Sequence, residues 1–267
     1  ALAVFVVVLA PAEASGVFTQ RQTLRTALKD WMADAPAVEA THGPLAGWDV
    51  SRVNDFEVML GPYDRSAAVR AAGTYSGMGA FNGDVSSWDT SRASNFFSVV
   101  MYNGDFNVDV SRWDTSKVTN FQNAFHRAHD FEGDLSDWDT AKAYTLRDMF
   151  YDAPKFNGDI AGWDTARVNT MTGVFYEADA FNQPAFVSNW DVSKVPSMGA
   201  LFGFSALASD ECSKAEVYEA WSDLAVFTNS YDWSGAVCTE PRPPPPPASP
   251  PGPGVFTDRA GLKAAVN

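Results

Sequence analysis

Two cysteines, Cys212 and Cys238, and three histidines, His42, His126 and His129, are all that 267 residues offer for thiol or imidazole chemistry. That scarcity leaves little from which to build a nucleophilic or metal-dependent centre. Positive charge is also short, with 19 Lys+Arg against 33 Asp+Glu and a net charge of −14. An acidic balance of this size disfavours nucleic acid and anionic membrane as partners. No phosphate-cradling glycine loop, nucleophile elbow or zinc-protease helix occurs, and no Asn-x-Ser/Thr sequon is present. These absences point away from an enzyme and imply no cofactor.

Apolar residues are not lacking. They make up 46% of the chain, and 13% of it is aromatic, enough for a sizeable core. Residues 1–9 read ALAVFVVVL, too short a run to span a bilayer, and small residues follow to Ser15. Residues 1–14 therefore read as the remnant of a secretory signal peptide, with a clipped anchor or a buried strand as the alternatives. Secretion would allow Cys212 and Cys238 to form a disulfide, whereas a free buried pair is the other reading. Residues 241–254, PRPPPPPASPPGPG, form a Pro-rich linker expected to be polyproline II. After it, Gly254-Val255-Phe256-Thr257 echoes Gly16-Val17-Phe18-Thr19, so residues 255–267 read as the start of a second module.

Self-similarity dominates the region between. Trp-Asp pairs begin at Trp48, Trp88, Trp113, Trp138, Trp163 and Trp190, with spacings of 40, 25, 25, 25 and 27. Around each Trp the same apolar rows recur. A Phe lies seven residues before in four repeats (Phe81, Phe106, Phe131, Phe156), and an aliphatic residue lies three before in all six. Further apolar residues follow at plus five, plus eight and plus twelve. A 25-residue unit cannot bury these faces alone, so stacked coils with ladders of like side chains are expected over residues 45–204.

Polar rows repeat as well. Asp follows every repeat Trp, and a basic residue follows three positions later (Arg52, Arg92, Lys117, Lys142, Arg167, Lys194). The Asp rows are expected to close turns, with the basic row offsetting their repulsion. A second row, Asp84, Asp109, Asp134 and Asp159, sits in turn-forming contexts. Calcium between coils is the one ion these rows could take, and no EF-hand spacing supports it. The row Thr90, Thr115, Thr140 and Thr165, if exposed, would be a thin water-ordering array.

The strings FNGDVSSWDTSR (81–92) and FNGDIAGWDTARVNTMTGVFYEADAFN (156–182) resemble the repeats of BspA-like leucine-rich-repeat surface proteins over residues 45–202. The pattern departs at residues 93–105 and in the first coil. The resemblance implies a repeat solenoid of leucine-rich-repeat-like coils with a short parallel strand per coil, secreted or on a cell surface. It implies adhesion and protein–protein contact, and transfers no catalytic residue.

Helical periodicity at Leu24, Ala27, Leu28 and Trp31, and again at Val217, Trp221 and Leu224, predicts capping helices within residues 15–44 and 205–240, the second stapled by the cysteines. The long first interval contains an insertion at residues 61–79. Its Tyr63, Asp64, Arg65, Arg70 and Tyr75 are the candidate binding surface. Two functions follow as expectations: a structural or adhesive module contacting other extracellular or cell-surface proteins, itself included, or a glycan- or peptide-binding module using one face. Alignment of Tyr63, Tyr75, Tyr102, Tyr151 and Tyr176 in a groove would favour the second, and their scattering would count against it. The mature module is expected not to insert into membrane.

Overall fold

The computed structural model describes residues 16–62 and 78–239. The expected signal remnant, the Pro-rich linker, the second-module start and the insertion residues Tyr63, Asp64, Arg65, Arg70 and Tyr75 lie outside the described residues. Two helices, α1 (Arg21–Ala33) and α2 (Ala35–His42), precede the repeats, and α3 (Ala206–Ser209), α4 (Glu211–Trp221) and α5 (Ala225–Thr228) follow them. Between them the chain winds as stacked coils built almost wholly of turns.

The expectation of a leucine-rich-repeat-like solenoid with one parallel strand per coil is overturned. Among the described residues there is no strand and no sheet, only isolated parallel bridges that join Asp55, Asn95, Asn120, Thr145 and Thr170 in sequence, and one between Val17 and Asp49. The cause is backbone handedness. The tenth residue after each Trp has positive φ (Val58 51°, Ser98 57°, Asn123 57°, Asp148 52°, Gly173 68°, Ala200 56°). So does the fourteenth in coils two to six (Tyr102, Arg127, Asp152, Glu177, Phe204). A left-handed residue ends an extended run and tightens the chain into a β-turn. Overlapping turns result, as in Met149 N–H to Leu146 C=O (3.1 Å), Tyr151 N–H to Asp148 C=O (3.3 Å) and Ala153 N–H to Phe150 C=O (3.2 Å).

Over the segment from plus eight to plus fourteen, coils are joined by a ladder of one polarity, whereas the plus-six residue donates the other way, as in Thr119 N–H to Ser94 C=O (3.0 Å). Every second N–H of this segment donates to the following coil: Phe96 to Asn120 (2.9 Å), Ser98 to Gln122 (2.9 Å), Val100 to Ala124 (2.8 Å) and Tyr102 to His126 (2.7 Å). This segment therefore presents acceptors that no coil meets at the N-terminal end of the stack and donors that no coil meets at its C-terminal end. Buried Arg25 of α1 answers the first need, its guanidinium donating to the carbonyls of Met59 (3.0 Å) and Gly61 (2.9 Å). Arg25→Met is expected to cost about 2 kcal/mol by stranding these acceptors. Chemical denaturation checks it, and an unchanged midpoint would mean water satisfies both carbonyls.

Trp side chains form a second ladder. Each buried indole donates to the carbonyl three residues before the preceding Trp: Trp88 to Leu45 (3.2 Å), Trp113 to Val85 (3.1 Å), Trp138 to Val110 (3.0 Å), Trp163 to Leu135 (3.0 Å) and Trp190 to Ile160 (3.3 Å). Trp221 of α4 continues the row, donating to Val187 C=O (3.2 Å). The Thr row is buried, not exposed, and its hydroxyls donate to the Asp carbonyls of the next coil, as in Thr140 to Asp164 (3.0 Å). That removes the water-ordering array. Both Asp rows close local turns, as with Asp139 accepting from Ala141 N–H (2.9 Å) and Asp134 from Ser136 N–H (2.9 Å). The basic row reaches backbone rather than carboxylate in two cases, Lys117 to Ser91 C=O (2.7 Å) and Lys194 to Ala166 C=O (2.6 Å).

Inside, Phe125, Phe150, Phe175 and Phe202 stack at 5.6, 5.9 and 6.2 Å, and Phe106, Phe131, Phe156 and Phe181 stack beside them at 6.1 Å intervals. The plus-eight and plus-twelve rows exchange bulk along the stack. Phe96 is paired with Val100 in the second coil, and Leu146 with Phe150 in the fourth. Cys212 of α4 is disulfide-bonded to Cys238. The helix ends at Trp221, earlier than the periodicity to Leu224 suggests, because Trp221 is fixed on the Val187 carbonyl and the chain turns before α5.

Candidate functional site

One outer corner of the stack gathers aromatic rings. The thirteenth residue after Trp is His126, Tyr151 and Tyr176 in successive coils, at the tight turn between left-handed residues, where the side chain is directed outward. His126 and Tyr151 stack at 4.8 Å, and Tyr151 and Tyr176 at 4.7 Å, the distances that parallel coils impose. Tyr102 meets His126 edge-on at 5.1 Å, and Phe204 meets Tyr176 edge-on at 5.4 Å. In the last coil the row residue is Gly203, and a Cβ there would lie 2.6 Å from the Tyr176 ring. Phe204 thus folds over Tyr176 and stays 72% exposed.

The result is a column running from buried Tyr102 to exposed Phe204. Its ring faces are mutually covered through most of its length, so half-buried edges form the outer surface. Tyr102, Tyr151 and Tyr176 are aligned rather than scattered. Tyr151 and Tyr176 were legible from their 25-residue spacing. His126 keeps that spacing but changes residue type, and Phe204 falls 28 residues after Tyr176, so neither stands out in the sequence.

A charged strip borders the column. Asp152 receives Arg127 (Nε to Oδ2 2.9 Å) and lies 3.7 Å from His129 Nε2. The Arg127 guanidinium also sits over the Tyr102 ring at 5.5 Å, and Lys155 pairs with Asp130 at 2.8 Å. The nearby Asp152 carboxylate holds the His129 pKa above the ordinary imidazole value, helped by Asp130 and opposed by burial and Arg127. Burial pushes Asp152 up, but His129, Arg127 and His126 outweigh it and leave its pKa lowered. Burial raises Asp148, against the pull of Arg147.

The signs set a pH window. The His129 contribution is present below the ordinary imidazole pKa and lost as pH rises through its raised value. The Asp152 contribution is present above the ordinary carboxyl pKa and lost as pH falls through its lowered value. The pair acts fully between roughly pH 4 and pH 6.5. Asp152→Asn is expected to bring the His129 midpoint back toward about 6.5. An NMR titration of its ring protons checks this, and an unmoved midpoint would deny the contact.

The profile of the family described as "Mycoplasma protein of unknown function, DUF285" matches residues 38–160 and again residues 97–215. Together the matches cover most of the chain, and the protein belongs to this family, that of the BspA-like surface repeats. Neither a curated protein nor a solved structure matches it. Among the described residues no helix is long and apolar enough to cross a membrane.

Proposed function

We propose that the protein is a secreted or cell-surface module that acts by protein–protein contact, in adhesion or assembly. The observation that carries this reading is the aromatic column. The interior rows are filled by the chain's own side chains and the polar rows by its own turns, while the edges of Tyr151 and Tyr176 and the ring of Phe204 face outward in one line. Aromatic surface of low conformational entropy beside fixed charges is what protein interfaces favour. Membership of a surface-repeat family supports the location. Repetition on linked modules would add avidity without any new contact.

The same alignment favours a second reading, a glycan or peptide ligand held along this face. Both are tested by coating beads with the full chain and measuring attachment to cells of the organism that makes it, and bead-to-bead clustering. The double variant Tyr151→Ser/Tyr176→Ser is expected to abolish whichever of the two occurs. Attachment that survives protease treatment of the cells and is lost on periodate oxidation would favour the glycan. Attachment and clustering unchanged in the variant would sink the column as the contact surface.

A further inference from the structure

The two ends of the stack are finished differently. At the N-terminal end Arg25 donates to the carbonyls that no preceding coil can reach. At the C-terminal end the groups that no following coil meets are N–H donors, on Met198, Ala200, Phe202 and Phe204, the residues equivalent to those that donate onward in coils two to four. Phe202 N–H is met by the Tyr231 hydroxyl at 3.0 Å. The N–H groups of Ala200 and Phe204, both exposed residues, have no acceptor among the described residues. Around this edge stand the exposed Phe204 ring and a cluster in which Tyr231 and Trp233 pack on Phe202 at 5.7 and 5.6 Å and on each other at 4.9 Å. Trp233 and Tyr231 are only partly buried.

A segment whose free backbone groups are donors, as in residues 198–204, set among aromatic rings, is complementary to a backbone that only accepts. Proline provides that backbone: it has carbonyls, no N–H, and a pre-extended conformation that loses little entropy on docking to aromatic surfaces. We propose that this C-terminal edge is a docking strip for a proline-rich extended segment, and that its occupant is the chain's own residues 241–254.

Three observations single out that occupant. Its prolines begin two residues after the last described residue. Tyr231 already touches the edge and lies ten residues before Pro241, a span of at most about 36 Å, while fourteen residues at about 3.1 Å each reach roughly 43 Å. The one charge in the segment is Arg242, positive on a chain of net charge −14, and Glu177 stands on the last rung, its N–H donating to Gly203 C=O at 2.7 Å. In a second copy, two of the four equivalent acceptor carbonyls, those of Met59 and Gly61, are already held by Arg25. The contact concerns the end of the stack and holds whether or not Tyr151 and Tyr176 meet an outside partner.

Amide exchange on the full chain tests it, read residue by residue for Ala200 and Phe204. Free exposed amides exchange rapidly, so docking should slow both by at least about tenfold relative to a variant with Pro243→Ser to Pro247→Ser, which leaves the described fold untouched. Phe204→Ala should release Ala200 as well, with the near-ultraviolet circular dichroism of the Trp ladder as the control for folding. Equal exchange in wild type and serine variant would overturn the proposal. Protection that appears only with rising protein concentration would overturn it in favour of a neighbouring copy's segment.

Discussion

Phe150→Ala is expected to destabilise the stack by about 4 kcal/mol, the range for emptying a fully buried aromatic site. Phe150 has no solvent exposure and touches Phe125 (5.6 Å), Phe175 (5.9 Å), Phe156 (3.7 Å) and Trp163 (6.2 Å). Its loss severs one aromatic column and removes the packing partner of the other at the same level. Neighbouring coils cannot close the gap, because the ladder hydrogen bonds fix their spacing, as in Phe150 N–H to Val174 C=O at 2.9 Å. Relief should come from within the same coil. The second coil carries Phe96 and Val100 where the fourth carries Leu146 and Phe150, so the double variant Leu146→Phe/Phe150→Val conserves volume by copying an arrangement the protein already uses. It should cost less than about 1.5 kcal/mol. Equilibrium denaturation compares the two. A double variant as unstable as the alanine one would show that the two rows do not trade bulk.

That exchange of bulk was legible in the sequence, and so was most of the interior. The Trp, Phe and aliphatic rows are set by spacing alone, because a side chain that recurs at a fixed interval in a stack must meet its own equivalents. The strand was misjudged for a local reason. Asn123, Asp148 and Gly173 are residue types that accept positive φ, but Val58 occupies the equivalent position in the first coil and Tyr102 and Arg127 the second left-handed position of theirs, and β-branched or bulky residues in that region give no warning. There the ladder outweighs intrinsic preference: the same backbone that strains Val58 lets its N–H reach Phe97 C=O at 3.0 Å. The side on which the Thr row lies was not legible, because alternation does not reveal which way a turn residue faces. Of the aromatic column, two tyrosines could be read from spacing. Its ends could not, since Tyr102 and Phe204 lie one residue out of the repeat, and only the turn geometry brings them into line.

Removing the disulfide, by reduction or as Cys212→Ser/Cys238→Ser, is expected to lower stability by about 3.5 kcal/mol, the entropy recovered by opening a loop with a sequence separation of 26. The magnitude approaches that of Phe150→Ala, but the consequence should differ, because one lesion lies inside the stack and the other at its end. Each coil is held by its two neighbours, so a gap in the middle weakens both halves, whereas a loosened end can open while the remainder persists. What the cap contributes is specific. Trp221 supplies the donor for Val187 C=O, Tyr231 supplies the acceptor for Phe202 N–H, and Ser213 donates its hydroxyl to the Asn182 side chain, closing the asparagine row in which Asn157 accepts from Asn182 N–H at 2.9 Å. Without the Cys238 tether the loop bearing Tyr231 and Trp233 is held by packing on Phe202 and Phe227 and by a few hydrogen bonds, Phe202 N–H to the Tyr231 hydroxyl (3.0 Å) and Tyr231 N–H to Phe227 C=O (2.9 Å). Reduced protein should therefore show faster amide exchange across residues 205–239 and an early, separate thermal transition. The coils from Trp88 to Trp163 should keep their protection until the main transition. A single transition displaced as a whole would mean instead that the cap and the stack unfold as one unit, the cap helices then being as integral to the cooperative core as the phenylalanine columns.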